Sequence, residues 1–181
     1  CSGATIPPLA TNSINGITGT WSPVINNTST TTYTFTPTAG QCATTQTRTV
    51  TITPNITPLF TQVGPYCSGA TIPVFSTSST NGITGTWSPA INNTVSTTYT
   101  FTPTAGQCAT TQTMGITITP NITPLFTQVG PYCSGATIPP LPTNSINGIT
   151  GTWLPAINNS ATTTYTFTPT AGLCATSQTM N

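Results

Sequence analysis

The 181-residue chain has no aspartate, glutamate, histidine or lysine, and Arg48 is its only charged side chain. General acid or base catalysis needs a group that titrates near the working pH, and the usual suppliers are all missing. Serine and threonine are abundant, but a hydroxyl without a neighbouring base is a poor nucleophile. Calcium and magnesium sites need carboxylates, and zinc sites need histidine or closely spaced cysteines, which are too dispersed here. These absences predict a protein that is not an enzyme and has no cofactor and no metal.

One arginine is too few to grip a phosphate backbone, so nucleic acid is not an expected partner. Nor is there a run of roughly 20 apolar residues to insert into a membrane, and no secretory leader is recognisable, so the chain reads as a mature or internal piece. The Thr, Ser, Pro and Gly content invites a reading as disorder, but disordered segments are poor in aromatics and β-branched residues. Three Trp, five Tyr and six Phe argue for folded strands.

Self-comparison gives the main signal. Cys1, Cys67 and Cys133 each open the string Cys-Ser-Gly-Ala-Thr-Ile-Pro, so the numbering advances by the same amount each time. Trp21, Trp87 and Trp153 keep that step, as do Tyr33, Tyr99 and Tyr165, and Cys42, Cys108 and Cys174. The resulting 66-residue unit is longer than a helical solenoid repeat and near the size of a small β-domain. The Pro-Asn-Ile-Thr-Pro segments at 54–58 and 120–124 mark the joints, stiffened by proline. This phasing gives a first repeat at 1–57 lacking its opening strand, a complete repeat at 58–123 and a repeat at 124–181 with its end truncated, an array expected to continue in both directions.

Period-two alternation predicts strands within each repeat. Tyr99 and Phe101 share one face of 98–102 with threonines on the other, and Ile116 with Ile118, and Val50 with Ile52, repeat the pattern. Pro103-Thr104-Ala105-Gly106 predicts a turn joining the last two strands, with glycine available for positive φ. Leu125–Val129 reads as an opening strand and Gly148–Trp153 as a central one. No 3.6-residue stripe appears. The expected fold class is therefore all-β, a tandem array of small immunoglobulin-like antiparallel β-sandwiches with six or seven strands each.

The six cysteines fall two to a repeat, at 1 and 42, 67 and 108, and 133 and 174, with a shorter interval across each joint than within each repeat. Pairing within repeats (Cys1 with Cys42, Cys67 with Cys108, Cys133 with Cys174) uses all six, whereas pairing Cys42 with Cys67 strands Cys1 and Cys174. The first is expected, each closed loop contributing about 4 kcal/mol in the chain-entropy model to a unit short of core. Persistent disulfides place the protein outside a reducing cytosol.

The tryptophans Trp21, Trp87 and Trp153 could stack on sugars, but a strand tryptophan beside a disulfide is read as core, as are Tyr33, Tyr99 and Tyr165. Threonine-covered faces suggest an ice-binding array; strand propensity without charge explains them more simply, because twist spoils flat arrays. Asn26, Asn27, Asn55, Asn92, Asn121 and Asn158 begin Asn-x-Ser/Thr triplets, read as turns first and glycosylation acceptors second. Arg48 stands where the other repeats have Met114 and Met180, and reads as solvated surface.

The strings Asn-Gly-Ile-Thr-Gly-Thr-Trp-Ser-Pro, Thr-Tyr-Thr-Phe-Thr-Pro-Thr-Ala-Gly-Gln-Cys and Thr-Ile-Thr-Pro, with the Cys-Ser-Gly-Ala-Thr-Ile-Pro opening, resemble the repeats of very large cell-surface adhesins of gliding and related Bacteroidota, substrates of type IX secretion. The resemblance spans essentially the whole chain. It implies an immunoglobulin-like fold, an extracellular or cell-surface location, and a stalk or filament role that extends and presents adhesive parts. Partners would be surfaces or glycans, bound weakly and multiplied by valency. A self-assembling extracellular fibre or sheath built from other copies of the chain, and a carbohydrate-binding repeat, are the alternatives.

Overall fold

A run of alternating aromatic and threonine residues can bury one face and wet the other only when extended, and each repeat builds its sheet around such a run. The computed structural model describes residues 1–181 and is all-β, with no helix. The first repeat forms β1 (Gly19–Ser22), β2 (Thr31–Pro37) and β3 (Gln46–Val50). The second forms β4 (Tyr66–Cys67), β5 (Gly85–Ser88), β6 (Thr97–Pro103), β7 (Gln112–Ile116) and β8 (Ile118–Thr119). From the third come β9 (Gly151–Leu154), β10 (Tyr165–Pro169) and β11 (Gln178–Met180).

Three small antiparallel sheets result, ordered β1-β2-β3, β5-β6-β7 and β9-β10-β11, plus a parallel pair β4-β8. The aromatic strand is central in each three-stranded sheet. Trp21 lies opposite Phe35, Trp87 opposite Phe101 and Trp153 opposite Phe167, so one cross-strand aromatic pair recurs at the same place. Gly85 opens β5 because any Cβ there would collide with the Thr102 carbonyl and the Phe101 ring; Gly19 and Gly151 are held by the same constraint.

Several strands are shorter than the alternation predicts, and one reason recurs. After Val50 the Ile52 N–H donates to the Thr30 hydroxyl at 2.9 Å, and between β7 and β8 the Ile118 N–H donates to the Ser96 hydroxyl at 2.9 Å. A side-chain hydroxyl thus takes the place of a backbone carbonyl and interrupts the ladder. The 125–129 segment is not a strand; Leu125 donates its N–H to the Asn147 side chain at 3.0 Å while its carbonyl accepts from the Ile146 N–H at 2.8 Å. Gly148 belongs to the turn before β9, with φ +83°, and not to the strand. The turn glycine Gly106 does adopt positive φ (+92°), within a longer loop over 104–111 that joins β6 to β7.

The chain forms two compact units. One gathers Cys1–Thr61, Phe75–Pro89 and Tyr99–Met114; the other gathers Gln62–Val74, Ala90–Thr98 and Gly115–Asn181. These bounds cut across the repeat phasing, since each unit draws together segments of consecutive repeats. In the first unit Tyr33, Tyr99 and Phe101 are buried completely. In the second, Leu141, Tyr165 and Met180 form a core against which Phe126, Val129 and Trp153 pack.

Candidate functional site at the repeat junction

No group of acidic, histidine or cysteine side chains is arranged to hold a metal ion, and no helix is long and apolar enough to cross a membrane. Two disulfides lie where one repeat hands over to the next.

Cys1 is bonded to Cys108 and Cys67 to Cys174, each across 107 residues, while Cys42 and Cys133 are free thiols. This corrects the expected pairing of Cys1 with Cys42, Cys67 with Cys108 and Cys133 with Cys174. Strand geometry explains the difference. Ser2, next to Cys1, donates its N–H to the Thr53 carbonyl at 2.9 Å, just past the C-terminal end of β3. Cys42 lies just before the N-terminal end of the same strand. β3 alone separates them by about 17 Å, well beyond the roughly 7 Å that a disulfide tolerates between Cα atoms. The two cysteines of one repeat therefore sit at opposite ends of it.

The linker shows why Cys108 is the reachable partner. Leaving Thr53, the chain passes through Ile56, whose N–H donates to the Cys108 carbonyl at 2.8 Å and whose carbonyl accepts from the Thr110 N–H at 3.0 Å. In the second unit Ile122 does the same with Cys174 and Thr176, at 2.8 and 3.0 Å. These are parallel bridges to Ala109 and Ala175. Asn55 and Asn121 tie the linker back to the preceding repeat through the Ser2 and Ser68 carbonyls, at 3.2 and 2.9 Å. Each disulfide thus straps a linker that is already hydrogen-bonded to both repeats.

Downstream the linker is seated in its own repeat by an asparagine clamp. Asn81 accepts from the Leu59 N–H at 3.1 Å and donates to the Thr57 carbonyl at 2.9 Å; Asn147 repeats this with Leu125 and Thr123, at 3.0 and 2.9 Å. Pro58 and Pro124 are fully buried beside these clamps. Phe60 then packs edge-on against Trp87 and Phe101, at ring-centre distances of 4.8 and 4.6 Å. Phe126 meets Trp153 and Phe167 at 4.8 and 4.6 Å. The sequence marks the Pro-bounded joints but does not reveal Asn81 and Asn147, because an asparagine before glycine reads as a turn residue.

Tyr33, Tyr99 and Tyr165 are buried, as expected. The Tyr33 hydroxyl accepts from the Asn26 N–H at 2.8 Å, and Tyr165 accepts from Asn158 at 2.9 Å. Trp21, Trp87 and Trp153 are half-buried at the rim of the core. Each indole N–H donates at 2.9 Å to a backbone carbonyl earlier in the chain, that of Ala10, Ser76 and Pro142 respectively. Trp87 is enclosed by Phe60, Phe75 and Phe101. Asn26, Asn92 and Asn158 shape turns by accepting from the backbone N–H and hydroxyl of Thr28, Thr94 and Ser160. Arg48 is exposed, whereas Met114 and Met180 in its place are buried.

No protein-family model matches the chain, and comparison with curated proteins and with solved structures finds no match either.

Proposed function

We propose that the chain is a non-catalytic, load-bearing segment of an extracellular stalk or filament, extending and presenting the adhesive parts of a large repetitive surface protein. The observation that carries this reading is the bond pattern: Cys1–Cys108 and Cys67–Cys174 each join one repeat to the next. A disulfide inside a repeat would only stabilise that repeat. One that spans the linker carries tension past it, so a pulled array lengthens less when strands give way. Two disulfides suit an oxidising, extracellular setting, and the near-absence of charge leaves little long-range repulsion or salt sensitivity between neighbouring stalks. The small immunoglobulin-like sandwich is the fold that the resemblance to Bacteroidota adhesin repeats implies for each unit, and surfaces or glycans are the partners it implies. The test is a constant-force measurement between the two ends: the unfolded chain should lengthen when reductant is added. A length that reductant leaves unchanged would sink the reading.

Lateral assembly into a fibre is the second reading, favoured by the sheet edges. β1, β5, β7, β9 and β11 are edge strands without a charged residue, and Arg48 on β3 is the lone gatekeeper. Sedimentation as a monomer at millimolar protein would count against it.

A further inference from the structure

Each linker is gripped by an asparagine that stands directly before a glycine, Asn81 before Gly82 and Asn147 before Gly148. In that sequence step an asparagine side chain is most open to attack by its own backbone, because the next residue has no Cβ to obstruct the approach. The approach is clear in the structure. Gly82 and Gly148 are exposed, and no atom lies within 4 Å of where a Cβ would stand. Both reacting groups are nevertheless engaged. The Asn81 amide oxygen accepts from the Leu59 N–H at 3.1 Å and the Ser79 hydroxyl at 2.7 Å, and its nitrogen donates to the Thr57 carbonyl at 2.9 Å. Asn147 makes the same three bonds with Leu125, Ser145 and Thr123, at 3.0, 2.8 and 2.9 Å. The Gly82 and Gly148 N–H groups donate to the Ser79 and Ser145 carbonyls, both at 3.0 Å.

We infer that Asn81 and Asn147 are deamidation sites gated by the linker: each is spared while it grips and converted once the joint opens, and conversion prevents the grip from re-forming. In the reaction the Gly82 nitrogen gives its proton to solvent hydroxide and bonds to the Asn81 side-chain carbonyl carbon. The bond from that carbon to Nδ2 breaks, and the nitrogen takes a proton from water and leaves as ammonia. Water then opens the cyclic imide at either carbonyl, leaving aspartate or isoaspartate; nothing is oxidised or reduced. Ring closure requires the Asn81 side chain to turn off the linker onto the Gly82 nitrogen, and that nitrogen to leave the Ser79 carbonyl. The closed joint blocks both movements, so reaction proceeds through local opening.

The product cannot do the work of the amide. A carboxylate has no N–H for the Thr57 carbonyl and sets a negative oxygen against it, so the linker loses one bond and meets a repulsion. Isoaspartate in addition adds a carbon to the backbone within the turn. No other acidic side chain exists in the chain, so each converted joint also adds the first negative charges to a protein whose only charged side chain is Arg48. The modification thus records that a joint has opened. It stands whether tension or thermal motion opens the joint, and whether or not the chain bears load.

The experiment ages the protein with its disulfides intact in warm neutral buffer and maps deamidation by peptide mass, beside the capped peptide Ser-Thr-Asn-Gly-Ile-Thr, a copy of residues 79–84. Two hydrogen bonds to the linker should hold the rates at Asn81 and Asn147 roughly thirtyfold below that of the peptide, or lower. Phe60→Ala, which empties the aromatic seat beside the first clamp, should speed conversion at Asn81 and leave Asn147 slow; Phe126→Ala should do the reverse. Asn81→Asp should lower the denaturant midpoint at neutral pH at least as far as Asn81→Ala. Rates in the unsubstituted protein equal to that of the peptide overturn the gating, and this comparison needs no variant to fold. Equal acceleration at both sites in both variants overturns it too, and an Asn81→Asp midpoint matching the parent overturns the loss of grip.

Discussion

Pulling the chain by its ends gives a signature that belongs to this disulfide pattern and not to pairing within repeats. With both bonds intact and the strands unfolded, the shortest covalent path crosses from Cys1 to Cys108, returns along the chain to Cys67, crosses to Cys174 and runs on to Asn181. At about 3.5 Å per residue that path is about 180 Å, against about 630 Å for the fully reduced chain. The route to full length is uneven. Breaking Cys67–Cys174 first replaces the stretch between Cys108 and Cys67 with the longer one between Cys108 and Cys174, a gain of about 90 Å. Breaking Cys1–Cys108 first gives the same gain, because the segment from Cys1 to Cys67 is as long as that from Cys108 to Cys174. The second cleavage then frees 107 residues, about 370 Å. Single molecules held at constant force in dithiothreitol should therefore lengthen in two steps, the smaller always first, in a ratio near one to four. Three equal steps of about 140 Å, the mark of loops closed within repeats, would refute the connectivity and the load-bearing argument with it.

Further outcomes follow from the same geometry. Alkylation without reductant should modify Cys42 and Cys133 alone, and a non-reducing digest should yield Cys1–Cys108 and Cys67–Cys174 peptides; a Cys67–Cys108 peptide would contradict the structure. Asn81→Ala removes two hydrogen bonds to the linker backbone and should lower stability by about 1–2 kcal/mol, whereas Asn15→Ala should cost only a few tenths; denaturant midpoints of the two variants make the comparison. Without carboxylates, histidines or lysines there is no side chain whose protonation changes across the acidic range. The unfolding midpoint should stay flat from about pH 4.5 to 7, and a slope of even one proton over that span would contradict this.

Much of the architecture was legible in local pattern. Aromatic and threonine alternation placed β2, β6 and β10 and their buried tyrosines, because the two-residue period of a strand is written directly in the order of side chains. The proline pairs at 54–58 and 120–124 are legible because proline acts on its own backbone, but the compact units do not follow the repeat bounds. Strand ends were less so: Thr30, Ser96 and Asn147 interrupt ladders from far along the chain, and a hydroxyl or amide that replaces a backbone partner looks like any other polar residue in the sequence.

The sequence by itself determined the all-β class, the repeat period and the aromatic core, because composition and periodicity act residue by residue. Only the tertiary structure decided which cysteines meet. Pairing depends on distance in space, and the single strand β3 is enough to hold Cys1 away from Cys42 while the linker carries Cys108 to it.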